Sequence, residues 1–189
     1  MSLWIEQFVE RAGMAGAEIE RIPSLDEAVV FLKNFFLENR LQTAIISPEL
    51  KRRDLFRTEF SGFPTGLKEG SLWVEAGLGA ADWGIAETGT LVRFDRGDEE
   101  KNVWTLPEIC LCLLEEARIV PRLEDISAEI AGHLSPTALP SPQVSLITGP
   151  SRTSDIESVL TIGVHGPSRL IIVLIAESPG QATRAHVPR

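Results

Sequence analysis

The sequence predicts an α/β domain built on a mostly parallel sheet with helices on both faces. Strand-length apolar runs alternate along the chain with segments whose apolar residues recur at helical spacing, which is the pattern of a parallel α/β sheet. The runs Ile109–Leu114 and Leu170–Ile175 are apolar throughout, as is typical of strands covered on both faces. A chain of 189 residues with 43% hydrophobic content can bury one substantial core but is short for two.

The first part of the chain predicts two amphipathic helices, then a strand and a third helix. Ser24–Glu27 reads as a capping box, and apolar residues then continue at helical spacing to about Asn39. Thr43–Ile46 is a short β-branched strand stopped by Pro48, and the polar segment Glu49–Phe60 predicts a helix. The opening helix is predicted from the spacing of Leu3, Ile5, Phe8, Val9 and Ala12.

The middle of the chain is rich in glycine, which predicts tight turns between short strands. Leu72–Val74 and Thr90–Val92 are two of these strands. The polar stretch Asp95–Asn102 predicts an exposed hairpin or loop, because it lacks apolar periodicity. No element is predicted for Ala17–Ile22.

Beyond Ile109–Leu114, the strand and helix pattern continues toward the C-terminus. Leu123–Ala131 predicts a helix, Val144–Thr148 a strand and Ser154–Ser158 a helical turn. Residues 1–177 are therefore predicted to form a single domain. The tail Ser178–Arg189, with two prolines and few apolar residues, is predicted to be disordered.

The charge and composition exclude several classes of protein. A formal net charge of −9 argues against a nucleic-acid or anionic-membrane partner, since both attract clustered Lys and Arg. The N-terminal segment lacks the basic-then-apolar order of a secretory signal, and no apolar run approaches the ~20 residues of a membrane span. Cys110 and Cys112 are too close along a strand for an ordinary disulfide, so a cytoplasmic protein with reduced thiols is predicted.

The loop after the predicted strand Val144–Thr148 is the first candidate site. Gly149, Ser151, Arg152 and Thr153 combine a glycine turn, hydroxyls and a guanidinium, which suits a carboxylate or phosphate at the end of a strand. Asp155, which follows them, is a candidate acid or base. The alternative is structural: a hydroxyl caps a helix, Asp155 complements its dipole and Arg152 forms an ion pair.

The segment around Glu87 is the second candidate site. Glu87 stands among small residues at a glycine turn, followed by Thr88, Gly89 and Thr90. A carboxylate in this position can act as a general base or accept a hydrogen bond from a ligand hydroxyl. It can equally accept hydrogen bonds from backbone N–H groups of its own turn, and the sequence leaves both alternatives open.

Other residue types with catalytic or metal-binding potential are few. His165, in Gly163–Pro167, is placed near predicted strand ends, where it can serve as an acid–base group or simply satisfy a turn. Cys110 and Cys112 are too few for an iron–sulfur cluster and lack histidine neighbours for zinc, so they are predicted to be buried core thiols with no metal in this chain. The GxSxG, Walker and Rossmann patterns are all absent from the sequence.

Four motifs in order resemble the lactate-utilisation protein C family, which carries the LUD domain. They are Gly84–Thr90, Arg118–Pro121, Ile147–Glu157 and Gly163–Pro167, and they cover roughly the second half of the chain. The resemblance implies a three-layer α/β fold similar to that of the sugar-phosphate isomerase and CoA-transferase superfamily. It also implies a role in a three-protein system that oxidises L-lactate to pyruvate, with iron–sulfur clusters in the partner subunits.

From this resemblance we expect an accessory subunit whose two loops, Gly149–Asp155 and Glu87–Thr90, line a pocket for a small anion. Catalytic roles for Glu87 and Asp155 are hypotheses from position and chemistry. Two alternatives are open: a stand-alone enzyme acting on a sugar phosphate or acyl-CoA, and a non-catalytic module that senses an anion. The chain departs from the family at Cys110, where relatives often have a histidine after the Leu-Pro pair, so any role of that histidine is in doubt here.

Overall fold

The computed structural model describes residues 3–52, 54–60, 74–95, 97–134, 142–154, 160–162 and 166–176. The helices are α1 (Leu3–Met14), α2 (Leu25–Glu38), α3 (Pro48–Arg52), α4 (Asp54–Glu59), α5 (Asp98–Thr105) and α6 (Ser127–His133). The strands are β1 (Glu18–Ile22), β2 (Ala44–Ile46), β3 (Val74–Ala80), β4 (Trp83–Ile85), β5 (Thr90–Asp95), β6 (Pro107–Glu115), β7 (Ile119–Val120), β8 (Gln143–Ile147), β9 (Arg152–Ser154), β10 (Leu160–Ile162) and β11 (Arg169–Ile175).

A five-stranded sheet in the order β1-β11-β6-β3-β2, with every neighbouring pair parallel, forms the centre of the fold. Alternate residues of its middle strand β6 enter two different cores, as the pleat of a strand requires. Leu111 and Leu113 pack with the buried face of α2, whereas Cys110 and Cys112 pack with that of α1. The α/β class with a mostly parallel, helix-covered sheet is confirmed, and so are β6 and β11 as strands buried on both faces.

Helix α2 begins where its capping box predicts. The Ser24 hydroxyl oxygen accepts a hydrogen bond from the Glu27 backbone N–H at 3.2 Å, which satisfies one of the otherwise unpaired donors of the first turn. The residues it buries recur at helical spacing and are Ala28, Val29, Leu32 and Phe36. The predicted helix over Glu49–Phe60 is present as two short helices, α3 and α4.

A second sheet, in the order β7-β4-β5-β8, was not predicted as a separate unit. Strand β5 runs antiparallel to both β4 and β8, whereas β7 runs parallel to β4. The strand predicted over Val144–Thr148 is present as β8, but it joins this sheet rather than the parallel one. Strand partners depend on long-range contacts, which a local apolar pattern does not encode.

Three local predictions need correction. Asp95–Asn102 is not an exposed loop: Asp95 is fully buried at the end of β5, and α5 begins at Asp98. Ser154 does not start a helical turn but ends β9, paired with Leu160, while 155–158 lie outside the described residues. Glu18–Ile22 forms β1 although only Ile22 is buried, so the strand shows no alternation that the sequence could reveal.

The carboxylate of Glu75 fixes the chain entering β2. Its Oε2 accepts hydrogen bonds from the backbone N–H of Gln42 at 2.6 Å and of Thr43 at 2.7 Å, and from the Thr43 hydroxyl at 3.1 Å. Partial burial alone would raise the pKa of Glu75, but these three donors outweigh it and hold the pKa below its ordinary value.

We expect Glu75→Gln to reduce the loss in free energy of unfolding that accompanies a change from pH 7 to pH 3.5. A carboxyl whose folded pKa is lowered contributes stability that is present above its unfolded pKa and is lost as the pH falls through the folded one. The expected contribution at pH 7 is about 1 kcal/mol or less, because the group is partly exposed to solvent. Urea unfolding at pH 7 and pH 3.5 measures it, with exposed Glu38→Gln as the control. If the free energy of unfolding falls by the same amount between pH 7 and pH 3.5 in Glu75→Gln as in the wild type, the role assigned to Glu75 is contradicted.

Candidate functional site

The start of β5 and the end of β8, next to which the two predicted loops lie, meet at one end of the second sheet. The turn 86–89 joins β4 to β5, and Thr148 directly follows β8. Because β5 and β8 are antiparallel, with Leu91 opposite Ile147, the start of β5 lies beside the end of β8. The hydroxyl oxygens of Thr90 and Thr148 are consequently 2.7 Å apart. Of the two loops predicted to share a pocket, Glu87–Thr90 reaches this junction, whereas Gly149–Asp155 begins just after Thr148, the last residue of the predicted strand.

A chain of three hydroxyls lines a cavity at this junction. The Thr88 hydroxyl lies 2.7 Å from that of Thr90, which also bonds to Thr148. We call the space beside them the threonine cavity; its volume is about 310 Å³, at the lower end of volumes typical of ligand sites. Since each hydroxyl can donate and accept, the chain can adapt to either kind of polar ligand atom. The lining residues are Ile85, Glu87, Thr88, Thr90, Leu123, Glu124, Leu146 and Thr148.

Glu87 stands at the mouth of the threonine cavity. Its backbone N–H donates to the Pro121 carbonyl at 3.0 Å, and its Oε2 lies 3.6 Å from Arg122 Nε. The side chains are 56% and 72% exposed, so this ion pair is weak and the Arg122 guanidinium can turn toward another anion. Arg122 was not among the predicted site residues, although it directly follows the Arg118–Pro121 motif.

Glycines in both loops pack against the end of α1. Gly89 has φ +67° and Gly149 has φ +76°, conformations that favour glycine. A side chain at Gly89 would collide with the backbone N of Ala12, and one at Gly149 with the carbonyl oxygen of Ala15. The C-terminal turn of α1 therefore sets the position of both loops around the cavity.

Arg152 contacts the same helix end. Its Nη2 donates to the Ala15 carbonyl at 2.5 Å, and the positive charge at a helix C-terminus is favourable. Arg152 does not line the threonine cavity. In this arrangement its guanidinium fastens the loop after β8 to α1. Binding of an anion by Arg152 stays a prediction.

The remaining predicted residues are placed only in part. The Ser151 backbone N–H donates to the Pro167 carbonyl at 2.8 Å, which ties its loop to the segment before β11. Thr153 lies in β9, paired with Thr161. Asp155 and His165 lie outside the described residues.

A buried cluster of charged side chains surrounds Arg93, and it was not predicted from the sequence. Arg93 is 3% exposed. Its Nη1 lies 2.9 Å from Glu49 Oε2, 3.1 Å from Asp82 Oδ2 and 3.1 Å from the Ala80 carbonyl. Its Nη2 lies 3.4 Å from Glu100 Oε1. The four charged residues come from separate segments, so only the fold brings them together.

The two cysteines are core thiols, as predicted. Both are buried, and burial raises the pKa of Cys112 to about 12 and that of Cys110 well above its ordinary value. Both therefore stay protonated at neutral pH.

Within the described residues, no group of three or more His, Cys, Asp or Glu side chains is arranged to hold a metal ion. In the same part of the chain, the helices are too short or too polar to span a bilayer.

Comparison with known families and structures gives consistent matches. The LUD domain profile matches residues 5–175. A crystal structure of a DUF162 family protein from Deinococcus radiodurans has the same fold, with a TM-score of 0.66 and 17% identity over 91% of this chain and 96% of that one.

Three curated relatives share part of the sequence. Lactate utilization protein C of Geobacillus kaustophilus is 31% identical over 53% of this chain and 42% of its own length. Uncharacterized protein YkgG of Escherichia coli is 30% identical over 54% of this chain and 45% of its own. Uncharacterized protein NMB1437 of Neisseria meningitidis is 28% identical over 92% and 68%. The first two alignments thus span less than half of the relatives' length.

Proposed function

Because the chain belongs to the LUD domain family, we propose that it is an accessory subunit of an iron–sulfur complex that oxidises L-lactate to pyruvate. Relatives named Lactate utilization protein C, from Geobacillus and Exiguobacterium among others, support a role in lactate utilisation. The chain has two cysteines, both buried in β6, and a cluster normally needs four thiolates. The clusters that take up the two electrons from lactate therefore belong to partner subunits in this proposal.

The threonine cavity is the proposed site for a small 2-hydroxy acid, and the meeting of the turn before β5 with Thr148 at the end of β8 is the observation that carries the proposal. The two contacts within the chain of hydroxyls use two of its three protons, so the carboxylate of the acid would accept one hydrogen bond from an end of the chain, at Thr88 or Thr148, and others from the Arg122 guanidinium. Its hydroxyl would donate to the Glu87 carboxylate at the mouth. Glu124 lies nearby and opposes an anion, so we expect a Kd on the order of 1 mM.

The loop after β8 contributes to this site in two ways. Thr148 supplies a hydroxyl in the cavity wall, and Arg152, four residues further along, holds the loop to the Ala15 carbonyl. Arg152 thus acts on the ligand through the position of Thr148, as a positioning residue.

We expect the isolated chain to bind L-lactate through the three hydroxyls. Thr148→Val and Thr88→Val keep the side-chain shape and each remove one hydrogen bond, worth about 0.5–1.5 kcal/mol, so each should weaken binding about two- to tenfold. Thr105→Val is the matched control, because the Thr105 hydroxyl donates to Lys101 within α5, outside the cavity. NMR titration with L-lactate measures the Kd of the wild type and of the three variants. Equal affinity in all of them would remove the threonine cavity from the proposal.

The accessory role is tested separately from the site. A tagged chain is purified from its native cells grown on L-lactate, and the co-purifying proteins are assayed for iron and acid-labile sulfide. We expect at least one cluster-bearing partner. Recovery of none, or turnover of L-lactate or a sugar phosphate by the isolated chain that Glu87→Gln abolishes, would contradict the accessory role and favour a stand-alone enzyme.

A further inference from the structure

A second cavity lies at the carboxyl ends of the parallel strands. It has a volume of about 300 Å³ and is lined at Ala80, Glu115 and Ile175, where β3, β6 and β11 end. It shares no lining residue with the threonine cavity. Open α/β sheets characteristically bind ligands in the crevice outside the carboxyl ends of their strands. We call this space the carboxyl-edge cavity.

The side chains lining the carboxyl-edge cavity are predominantly acidic. Glu49, Asp82, Glu115 and Glu129 contribute carboxylates, and Arg118 contributes the guanidinium of the lining. Arg93, which is buried and does not line the cavity, donates hydrogen bonds to two of these carboxylates, those of Glu49 and Asp82. The lining is thus rich in hydrogen-bond acceptors, and its four carboxylates outnumber its one guanidinium, which disfavours phosphates, carboxylates and acyl-CoA.

An aromatic ring in the same wall already interacts with a cation. The Arg118 guanidinium carbon lies 5.0 Å from the centre of the Trp83 ring, within the range of a cation–π contact. This observation is independent of the carboxylates, because the attraction comes from the indole face. Arg118 is exposed, so its side chain can leave the ring at little cost.

We propose that the carboxyl-edge cavity binds a small organic cation bearing amino or guanidino groups. The cation takes the place of Arg118 over the Trp83 ring, and its N–H donors bond to the carboxylates. A divalent metal ion fits less well, since the described residues hold no group of three metal-ligating side chains. The inference is independent of lactate binding at the threonine cavity.

A matched series of four-carbon probes tests the charge of the ligand. We expect 1,4-diaminobutane to bind, measured by calorimetry, while the neutral 1,4-butanediol and the anionic succinate show no binding at the same concentration. Binding of the diol as tightly as the diamine, preference for succinate, or absence of diamine binding at 10 mM would each overturn the proposal.

Four variants locate the binding and separate it from attraction to the net charge of −9. Glu115→Gln and Glu129→Gln should each weaken diamine binding about two- to fivefold, whereas the exposed control Glu20→Gln should leave it unchanged. Arg118→Met removes the competing cation and should strengthen diamine binding by a similar factor. Equal weakening in all three glutamine variants, or weaker binding in Arg118→Met, would overturn the proposal.

Discussion

Replacing Arg93 with methionine is expected to lower the free energy of unfolding by about 3 kcal/mol. The guanidinium is 3% exposed and is the shared partner of Glu49, Asp82 and Glu100. Burial would lower the pKa of Arg93, but the attraction of Asp82 and Glu49 outweighs it and the pKa is raised. Methionine keeps the aliphatic stem and removes the guanidinium that these carboxylates share. The estimate is at the low end for a broken buried pair, because Glu49 and Asp82 are partly exposed.

Urea unfolding at pH 7 measures the Arg93→Met effect against Arg11→Met, an exposed arginine of α1. The double variant Arg93→Met with Glu100→Gln should recover part of the loss, because it removes the most deeply buried of the three carboxylates. A loss for Arg93→Met no larger than that of the control would show that the cluster contributes nothing to stability.

Gly77→Ala is the second substitution with a large expected effect. Gly77 lies in the middle of β3, and a methyl group there would overlap the Val103 carbonyl oxygen and the ring of Pro107. Neither obstacle can rotate away, since one is helix backbone and the other begins β6. We expect a loss of about 3 kcal/mol, which for a chain of this size lowers Tm by about 6–12 °C.

Thermal unfolding followed by circular dichroism measures this change. Gly132→Ala is the matched control: Gly132 lies in α6, and an added methyl meets nothing within 4 Å. It should raise the stability by about 0.5–1 kcal/mol through helix propensity. Equal Tm values for the two variants would refute the close approach of α5 to β3.

The predictions that succeeded rest on local signals. The capping box at Ser24 places the start of α2, and the unbroken apolar run at Ile109–Leu114 identifies β6, because both follow from contacts within a few residues or from burial alone. Strand β1 was missed, since four of its five residues are not buried and its identity depends on pairing with β11. Helix α5 was missed because its polar composition resembles a loop.

In the candidate site, too, the features with local signals were predicted and those that depend on long-range contacts were not. The glycine turns marked both loops, and Glu87, Thr88 and Thr90 do line one cavity. Arg152 was predicted to bind an anion from its residue type, and this stays a prediction, whereas its contact with the Ala15 carbonyl depends on the fold. The cluster around Arg93 and the cavity beside it could not be predicted, since their members are brought together by sheet order.

The position of β11 in the parallel sheet affects how the chain folds as it is made. β11 lies between β1 and β6, and in the described sheet β1 pairs with it alone. Because β11 follows β1 by about 150 residues in the sequence, this pairing can form only after most of the domain has been synthesised. We expect such non-local pairing to slow folding and to leave a strand edge of the sheet exposed during synthesis.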